Sequence, residues 1–517
     1  MPASILRQHL SQRGVALAVL AGLCTLGVRA DVRLHHLFSD NMVLQQQTSV
    51  PIWGWADEGE SVTVTFRGQR VETTAKDGRW QVRLTQLAAG GPDRLVVAGK
   101  NRIELTNVLV GEVWICSGQS NMEWPLSRAF EPADDIAGSA NAAIRLFTVP
   151  KLKADEPVED VDASWVLCGP DTVPGFSAVG YYFGRALQAA RNVPVGLIHT
   201  SWGGSPAEVW MSRTALETSP EYRTDILETH RQAEARHLAA VKQWEEAKAK
   251  AEAAGEAFNQ GRPRAPWKPT ELYNGMIAPL IPYAIQGAIW YQGESNAGRA
   301  WQYRRLFADM IRNWWRDWNR DAFPFLAVQL APWDKNRKRA LEEITAEPGE
   351  SDWPELREAQ DLATRSLPNV GIAVITDVGD KDDIHPTKKA PVGERLALAA
   401  RVIAYGEAID GLSPQYRSAE FARGRATIRF QHVQGPLRVE GDQLTGFAIA
   451  GADRQFVWAE ARVKGTEVEV FSPEVPHPVA VRFGWADHPV VNLFSASGLP
   501  VSPFRTDDWP MVTNPND

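Results

Sequence analysis

One serine stands where an apolar, strand-like run gives way to a polar turn. In VGEVWICSGQSNMEW, Ser120 follows Gly-Gln at the end of that run. A hydroxyl at the point where a strand turns into a helix projects over backbone N–H groups, whose partial positive charge stabilises a developing anion. The position therefore favours a nucleophile for acyl transfer. Read in isolation, the same serine also fits a helix N-cap, and the motif alone leaves both interpretations open.

A serine nucleophile needs a general base, and the segment DKDDIHP offers one in His385. The other histidines lie in the first thirty residues, on a charged helical stretch, in β-rich segments or, for His199, inside an apolar run typical of a core. A carboxylate three residues before His385 can reach its Nδ1, fix the tautomer and stabilise the imidazolium. We therefore predict Asp382 as the third member of a triad, with Asp383 as the alternative. The same segment also fits a solvated acidic turn or a calcium loop.

Ester cleavage develops an oxyanion, which small residues help to bind because they let backbone N–H groups approach closely. The loop SWGGSPAEVW supplies Gly203 and Gly204, and the N–H of Ser120 is a further donor. In WYQGESN, the side-chain amide of Gln292, or alternatively that of Asn296, is predicted to complete the oxyanion hole. Glycine pairs also form ordinary turns, so this prediction depends on the companion motifs.

Several common site motifs are absent. Met122 stands where the Gly-x-Ser-x-Gly elbow of α/β hydrolases requires its last glycine. No Gly-x-x-x-x-Gly-Lys or Gly-x-Gly-x-x-Gly follows a predicted strand, so nucleotide binding has no support. A net charge of -8 provides no basic surface for nucleic acid, and no nucleic-acid partner is expected. No spacing typical of zinc is found, and no metal site is predicted.

The candidate residues all follow unalternated apolar runs in the middle of the chain. These runs are VGEVWIC, VPVGLIHT, AIQGAIWY, FPFLAVQL and NVGIAVIT, and helix-like stretches separate them. Continuous apolar strands that alternate with helices indicate a doubly wound parallel α/β sheet covered on both faces. Ligands of such sheets bind outside the carboxyl ends of the strands. The polar loops in that position are therefore expected to form one site.

The length of 517 residues predicts more than one domain. Period-two apolar patterning with Gly and Asp turns predicts an N-terminal β-sandwich at 31–108, before the α/β domain at 109–405. Strand-like segments return at 406–517 and predict a second β-rich module. A charged, Ala-rich helical insert at about 215–262 fits either a lid near the cleft or a solvated surface helix.

The first thirty residues carry arginines, the apolar run GVALAVLAGLCTLGV and small residues up to Ala30. This pattern predicts a secretory signal peptide at 1–30, and hence a periplasmic or extracellular protein without a stable membrane anchor. A retained anchor is the alternative. Cleavage would remove Cys24 and leave Cys116 and Cys168, which can form one disulfide or remain two buried thiols.

Taken together, SGQSNMEW, SWGGSPAEVW, WYQGESN and DIHP with VGERLA resemble the SGNH hydrolase superfamily and, within it, the sialate O-acetylesterase-like carbohydrate esterases. LFSDNMVLQ, PIWGWA and NVLVGEVW extend the likeness over about residues 34–405. The resemblance implies a flavodoxin-like SGNH hydrolase domain at 109–405 with β-sandwich accessory modules. It also implies a secreted serine esterase that removes O-acetyl groups from carbohydrates without a metal or cofactor.

By position in this family, Ser120 matches the nucleophile, Gly204 the glycine of the second motif and His385 the base. The third motif, Gln-Gly-Glu-Ser-Asn, departs from the Gly-x-Asn-Asp form. The side-chain oxyanion donor therefore stays open between Gln292 and Asn296. The other polar residues of these motifs are expected to orient their neighbours rather than to react: Gln119, Asn121 and Glu294.

The substrate is expected to be an acetylated oligosaccharide or polysaccharide. Aromatic faces suit sugar rings, and four aromatic residues flank the predicted cleft: Trp124, Trp202, Trp290 and Tyr291. No arginine cluster adjoins the motifs to bind a sialate carboxylate, which favours plant hemicellulose such as xyloglucan or xylan. Sialate O-acetylesterase activity is the alternative, for which Arg128 or Arg299 would supply the charge. A different class of function is a carbohydrate-binding protein with an inactive hydrolase domain. The oligomeric state is left open.

Overall fold

The structure is a computed structural model that describes residues 31–336 and 338–515. The segment predicted as a signal peptide, residues 1–30, lies outside the described residues, and that prediction stays a prediction. The described chain is a mixed α/β protein with several β-sheets, as the apolar patterning predicts. Within this part, no helix is long and apolar enough to cross a membrane.

Short strands separated by turns form the N-terminal part of the described chain. These strands, with the long strand that follows them, are β1 (Arg33–Leu34), β2 (Val43–Gln45), β3 (Val50–Trp55), β4 (Ser61–Phe66), β5 (Gln69–Thr74), β6 (Arg79–Leu84), β7 (Gly90–Ala98) and β8 (Arg102–Gly118). In β6, Trp80, Val82 and Leu84 are buried while the residues between them are exposed. That period of two is the pattern of a strand with one buried face.

Strand β8 belongs to two sheets and carries the chain from the N-terminal strands into the middle sheet. Its first half pairs antiparallel with β7, from Arg102 to Val110. Its second half, from Glu112 to Gly118, pairs parallel with a later strand. The boundary predicted between 108 and 109 therefore falls inside one continuous strand, and one apolar core extends across it.

The middle sheet is parallel and reverses its strand order at β8. Its further strands are β9 (Asn141–Thr148), β10 (Val166–Cys168), β11 (Val195–Ser201), β12 (Gly287–Tyr291), β13 (Phe325–Val328) and β14 (Val370–Ala373). The order is β10-β9-β11-β8-β12-β13-β14, and every neighbouring pair is parallel except β10 with β9. The crevice at such a reversal is where doubly wound sheets bind ligands.

Helices cover both faces of this sheet. The helices are α1 (Ser120–Glu123), α2 (Ala133–Ala137), α3 (Ala178–Arg191), α4 (Arg213–Thr218), α5 (Pro220–Tyr222), α6 (Thr229–Ala254), α7 (Ala300–Asp317), α8 (Leu341–Ile344), α9 (Asp352–Ser366) and α10 (Ala390–Ile403). On β8, Val113 and Ile115 belong to the core under α7 and α9. Trp114 and Cys116 belong to the core under α3 and α10. Burial on both faces explains why the strands read as apolar without alternation.

The predicted helical insert is present as α4, α5 and the long helix α6. Most of α6 is exposed, and its buried residue is Val241. The chain after α6 folds back along it, since Nε1 of Trp244 donates to the carbonyl of Gln260 at 2.8 Å. The end of this return brings Trp267 into edge-to-face contact with Trp202, with ring centroids 5.7 Å apart. The helix itself is thus a solvated surface helix, whereas its return segment reaches the loop after β11.

Strands form the C-terminal part of the chain. They are β15 (Gln415–Ala422), β16 (Arg425–Gln431), β17 (Arg438–Val439), β18 (Phe447–Ala450), β19 (Phe456–Trp458), β20 (Glu460–Lys464), β21 (Glu467–Phe471), β22 (Ala480–Phe483), β23 (Leu493–Phe494) and β24 (Phe504–Arg505). Their main sheets have the orders β15-β16-β21-β20 and β19-β18-β22-β24, and they enclose a core of their own. The buried Arg357 of α9 attaches this part to the middle domain by donating to the carbonyls of Ala486 (2.6 Å) and Asp487 (2.8 Å).

The two cysteines of the described chain are free thiols. Cys116 and Cys168 are both buried, and no disulfide joins them. Burial raises the pKa of Cys168 to about 11 and raises that of Cys116 further. A buried, protonated thiol is a poor nucleophile. The sequence left open either a disulfide or two buried thiols, and the structure has two buried thiols.

Candidate active site

The turn after β8 places Ser120 at the reversal of the strand order. Gly118 has a φ of +139°, and a Cβ there would lie 2.2 Å from the carbonyl oxygen of Tyr291. Glycine alone fits this backbone angle and this close approach to β12. The N–H of Gln119 donates to the same carbonyl at 2.9 Å, and the N–H of Trp202 donates to the Gly118 carbonyl at 3.1 Å. These bonds hold the turn between β11 and β12, with Ser120 as the first residue of α1.

Ser120 and His385 are hydrogen-bonded although 265 residues separate them in the sequence. Nε2 of His385 lies 2.8 Å from Oγ of Ser120. On the other side of the ring, Nδ1 lies 3.5 Å from Oδ1 of Asp383, and the backbone N–H of His385 donates to the same oxygen at 2.9 Å. Asp383 thus orients both the backbone and the ring of His385. This order of hydroxyl, imidazole and carboxylate is the one that acyl transfer through a serine requires.

The spacing argument that preferred Asp382 over Asp383 is not supported by the geometry. Asp382 is exposed and faces Lys381, whose Nζ lies 2.5 Å from its Oδ1. The segment is a turn rather than a helix, because the N–H groups of Asp382 and Asp383 both donate to Oδ1 of Asp380. In this turn the residue two positions before His385 reaches the ring. The alternative, Asp383, therefore takes the place next to the imidazole.

Two backbone N–H groups at the hydroxyl are available to an anion. Gly203 lies so close to Ser120 that a Cβ on the glycine would be 3.2 Å from the serine Cβ. The N–H of Gly203 is used by Oε2 of Glu123 at 2.6 Å, which holds this loop against α1. Gly204 is exposed with a φ of +77°. Within the described chain, neither its N–H nor that of Ser120 has an acceptor.

The side-chain amides that the sequence suggested for the oxyanion hole are occupied elsewhere. Gln292 is fully buried, and its Nε2 donates to Oδ1 of Asn296 (2.7 Å) and to the carbonyl of Ser205 (3.3 Å). Asn296, also buried, accepts from the N–H of Ala207 (2.9 Å) and donates to Glu208 (3.0 Å). These bonds join the loops after β11 and β12. The geometry does not support a role for either amide as an oxyanion donor.

Other polar residues of the motifs tie the strand-end loops together. Oε1 of Gln119 accepts from two backbone N–H groups of the loop after β12, at 3.3 and 3.4 Å. The buried Nδ2 of Asn121 donates to Oε1 of Glu294 (2.6 Å) and to the carbonyl of Ile384 (3.0 Å). Ile384 directly precedes His385. Asn121 therefore connects the turn that carries the serine with the loop that carries the imidazole.

A buried lysine, which sequence reasoning missed, lies behind this network. Nζ of Lys389 is 2.5 Å from Oδ1 of Asn121 and 5.3 Å from the ring centroid of Tyr291. Burial lowers the pKa of Lys389 to about 7, while the charges of Glu294 and Asp383 act in the opposite direction. Lysine is almost always exposed, so its sequence context offers no signal that this one is buried.

The surroundings of His385 favour its neutral form. Burial is the main cause that lowers the pKa of His385. The positive charges of Lys389 and Arg128 lower it further, and the carboxylate of Asp383 acts in the opposite direction. A neutral imidazole is the form that can accept a proton from serine. Burial also raises the pKa of Glu294, whose Oε2 is buried without a hydrogen-bond partner in the described chain.

Aromatic rings flank the hydroxyl on two sides. Trp124 stacks on His385, with ring centroids 5.3 Å apart and an interplanar angle of 19°. Beyond Gly203, the partly exposed rings of Trp202 and Trp267 meet edge to face, and Nζ of Lys153 lies 3.9 Å from the centroid of Trp267. Sequence reasoning missed Trp267 because it follows the helical insert, far from any motif. Its only signal is a tryptophan inside the proline-rich stretch APWKP.

Trp290 and Tyr291, which were predicted to bind substrate, are core residues instead. Both are fully buried. Because β12 is covered on both faces, its alternate residues enter the two helix layers. Trp290 packs edge to face against Trp210 and Trp314, and Tyr291 lies in the core under α3 and α10. Neither ring is exposed to a bound sugar.

The acidic turn does not have the character of a cation site. Among residues 31–336 and 338–515, no group of three or more His, Cys, Asp or Glu side chains is arranged to hold a metal ion. Oδ1 of Asp380 is used by backbone N–H groups of its own turn, and Asp382 is paired with Lys381. The calcium-loop interpretation of DKDDIHP has no support in this geometry.

Ser120, His385 and Asp383 lie in the order of hydroxyl, imidazole and carboxylate at the end of a parallel α/β sheet, an arrangement used by serine hydrolases. A family model described as SASA, carbohydrate esterase, sialic acid-specific acetylesterase, matches residues 110–256 and 258–402, more than half of the chain. The chain belongs to this family of carbohydrate esterases.

Known proteins match along nearly the whole chain. The sialate O-acetylesterase of Mus musculus is 29% identical, with 90% of this chain and 93% of that protein covered. The sialate O-acetylesterase of Homo sapiens is 27% identical, with 91% and 92% covered. The crystal structure of a carbohydrate acetylesterase from Xanthomonas citri superimposes with a TM-score of 0.79 and 38% identity, over 92% of this chain and 100% of that one. Together with the family match, these relatives identify a carbohydrate O-acetylesterase.

Proposed function

We propose that the protein is an exported serine esterase in which Ser120 is the nucleophile, His385 the base and Asp383 its carboxylate partner. It removes O-acetyl groups from the hydroxyls of an oligosaccharide or polysaccharide. The observation that carries this proposal is the 2.8 Å contact between Nε2 of His385 and Oγ of Ser120. The exposed Gly204 and the aromatic rings beside the hydroxyl support it, since they leave room for an acetyl group on a sugar ring.

The reaction proceeds in two steps through an acetyl-enzyme. His385 accepts the hydroxyl proton of Ser120 while Oγ attacks the acetyl carbonyl carbon, and the N–H groups of Ser120 and Gly204 donate to the oxyanion. The tetrahedral intermediate collapses, the imidazolium protonates the sugar oxygen, and the sugar leaves as an alcohol. Water then attacks the acetyl group with His385 again as base, and acetate leaves as the serine recovers its proton. Asp383 stabilises the imidazolium in both steps.

We assign the middle domain to the flavodoxin-like SGNH fold, with β-sandwich accessory modules on either side. The parallel sheet with its reversal at β8, and the motif loops that converge there, support the assignment of the middle domain. The sheet β1-β3-β6 in the N-terminal part, and the C-terminal sheets with a core of their own, support that of the modules.

The sugar is proposed to be a plant hemicellulose, either xyloglucan or xylan. A neutral chain suits the wall formed by Trp202 and Trp267, because stacking on aromatic rings needs no ligand charge. Three cations around the site are already paired with carboxylates: Lys151 with Glu123, Lys153 with Glu271 and Arg299 with Glu208. These pairs leave little free positive charge on that side of the hydroxyl.

Sialate is the second candidate, and Arg128 is the observation that favours it. Arg128 is exposed, and its guanidinium carbon lies 4.0 Å from the ring centroid of Trp124, the ring that stacks on His385. In the described part of the chain, no carboxylate forms an ion pair with it. A sugar carboxylate could bind this guanidinium while an acetyl group reaches Ser120. The relatives named sialate O-acetylesterase support the same reading.

The test is acetate release from acetylated xyloglucan, acetylated xylan and O-acetyl sialic acid, with the wild type and Ser120→Ala. We expect release from one of these glycans and its loss in the variant. Release that persists in Ser120→Ala would refute the assigned nucleophile. Arg128→Gln separates the substrates, because it should raise KM for the sialate alone. Binding of a glycan without acetate release from any of them would favour a carbohydrate-binding protein with an inactive hydrolase domain.

Export is proposed from the pattern of residues 1–30 and is tested separately. The full chain, expressed in a bacterium with a periplasm, should be recovered outside the cytoplasm with Asp31 as its N-terminal residue. A product that retains Met1 and sediments with membranes would show that the segment is a retained anchor.

A further inference from the structure

A groove lies on one face of the sheet β19-β18-β22-β24, between that sheet and the segment 346–350. It encloses about 600 Å³. A second cavity of about 310 Å³ adjoins it, and the two share Gly446, Trp458 and Trp485 as lining residues. Both volumes fall in the range of roughly 300–1,000 Å³ that is usual for small-molecule sites. Neither cavity contains a residue of the candidate active site.

The strand register explains why this groove stays open. Ala448 of β18 lies opposite Trp458 of the edge strand β19 and opposite Arg482 of β22. Residues directly opposite each other point to the same face of a sheet, so a methyl group lies between two large side chains. Gly446, with a φ of +87°, also lines the groove, and a Cβ there would lie 2.5 Å from a side-chain carbon of Val491. The small side chain of Ala448 therefore leaves a concave surface between the larger side chains of Trp458 and Arg482.

Trp458, on the edge strand β19, forms one wall of the groove. A hydrogen bond at one edge of its indole ring fixes the orientation of the ring. Its Nε1 donates to the carbonyl of Thr345 at 2.8 Å, yet 38% of the residue is exposed. Phe456, two positions earlier, points to the same face and also lines the larger cavity. An aromatic ring whose orientation is already set loses little entropy when a ligand stacks on it. The apolar C–H face of a pyranose is a matching ligand surface.

Polar groups beside the ring suit a neutral ligand that is rich in hydroxyls. Glu350 accepts from Nη1 of Arg482 (2.5 Å) and from Nε1 of Trp485 (3.3 Å), which fixes its carboxylate at the rim. The lining holds two carboxylates, Glu347 and Glu350, and two guanidinium groups, Arg454 and Arg482, so its formal charges balance and favour a neutral ligand. Arg482 is paired with Asp507 as well as with Glu350. Gln455 adds an amide to the lining. Carboxylates and amides placed next to an aromatic ring can bind sugar hydroxyls while the ring binds the C–H face.

Backbone contacts connect this module to the loop that precedes His385. The N–H of Trp333 donates to the carbonyl of Asp487 at 3.2 Å. The backbone N–H of the next residue, Asp334, donates to the carbonyl of Lys381 at 2.9 Å. A polysaccharide bound in the groove is thereby held on the same rigidly connected molecule as the catalytic hydroxyl, which raises the local concentration of its acetyl groups.

From this geometry we propose that the groove is a second carbohydrate-binding site, in which a neutral polysaccharide chain stacks a sugar ring on Trp458. The class of ligand rests on the proposed function, because a carbohydrate esterase meets carbohydrate chains as its substrates. The site holds polymers and has no part in the hydrolysis of small esters.

The test uses Trp458→Ala, with Trp301→Ala as the matched control. Trp301 lies on α7, and its exposed fraction, 37%, equals that of Trp458 within 1%. Affinity electrophoresis in gels that contain xyloglucan or arabinoxylan without acetyl groups measures binding independently of catalysis. Loss of Trp458 should weaken binding about five- to tenfold, as expected for the removal of one aromatic stacking platform. Trp301→Ala should bind like the wild type. Trp458→Phe keeps an aromatic ring but loses the hydrogen bond to Thr345, so it should bind between the wild type and Trp458→Ala. All variants should hydrolyse 4-nitrophenyl acetate equally.

Three results would overturn the proposal: no retardation of the wild type in either gel, unchanged retardation of Trp458→Ala, or an equal loss in Trp301→Ala. Thermal unfolding of each variant shows that a loss of binding is not a loss of fold. A different result, the absence of acetate release, would refute the esterase assignment. Binding that depends on Trp458 but occurs without acetate release would refute the proposed function and leave the second site standing.

Discussion

Nζ of Lys389 lies 2.5 Å from Oδ1 of Asn121, and both residues are buried. The amide of Asn121 also donates to the carbonyl of Ile384 at 3.0 Å, so the lysine is connected to the residue next to His385. Its positive charge lies behind the imidazole, where it disfavours a second positive charge. Lys389 is therefore the residue through which the pH dependence of the base can be tested.

Lys389→Met is expected to move the acid limb of the kcat/KM profile to higher pH. The lysine charge lowers the pKa of His385, so its removal keeps the imidazole protonated, and inactive as a base, up to a higher pH. The profile is measured on 4-nitrophenyl acetate. Lys388→Met removes an exposed lysine next to it and should leave the limb in place. An unmoved limb in Lys389→Met would contradict the assigned interaction.

The burial of Lys389 also predicts a change of stability with pH. Its pKa is lowered from 10.5 to about 7 in the folded chain, so between these values the unfolded chain binds more protons than the folded one. The free energy of unfolding contributed at this position therefore rises with pH across that window. Urea unfolding at about pH 7 and about pH 9.5 should show a larger increase for the wild type than for Lys389→Met. Equal increases would mean that the lysine titrates normally.

Asp383→Asn is expected to lower kcat by about 10²–10⁴-fold, because an amide can hold the imidazole in the wrong tautomer and does not stabilise the imidazolium. Asp382→Asn is the matched change on the exposed neighbour and should alter kcat by less than about twofold, as for other exposed ion pairs. Steady-state acetate release measures both. A large loss in Asp382→Asn with little change in Asp383→Asn would reverse the assignment.

Gln292→Met is expected to cost stability rather than catalysis. The substitution leaves the hydroxyl of Tyr303 without its acceptor, which costs about 1–3 kcal/mol for a buried polar group left unpaired. It also removes one of the two donors to Oδ1 of Asn296. Urea unfolding and kcat per folded molecule are measured together. If kcat instead falls by roughly 10²–10³-fold at unchanged stability, Gln292 is an oxyanion donor after all.

The two tryptophans Trp290 and Trp202 should respond in opposite ways to replacement by alanine. Trp290→Ala leaves a cavity in the core and is expected to lower the free energy of unfolding by about 3–5 kcal/mol. Trp202→Ala removes a partly exposed ring near the hydroxyl and should raise KM for an acetylated oligosaccharide with a smaller effect on stability. Thermal unfolding measures the stability of both variants, and steady-state kinetics measure their KM. A raised KM in a stable Trp290→Ala would restore Trp290 as a substrate contact.

Sequence patterning was sufficient for the class of sheet and for the position of the polar loops. Short apolar runs without alternation, bounded by polar loops, are typical of strands with both faces buried, and ligand sites of such sheets lie at the strand ends. The same argument should have excluded Trp290 and Tyr291 from the cleft, because they are the last residues of such a run. The sequence could not show whether Asp382 or Asp383 contacts His385, since this depends on whether the segment forms a turn or a helix.

By itself, the sequence determined which residues can do chemistry: a serine at a strand end, a histidine in an acidic loop and a glycine pair between them. These candidate residues follow from local patterns, which depend only on neighbouring residues. Only the tertiary structure decided that Asp383 faces the imidazole, that Gln292 is committed to the core, and that Lys389 is buried behind the base. Those outcomes depend on contacts between residues far apart in the chain, as the 265 residues between Ser120 and His385 illustrate. No local pattern carries that information.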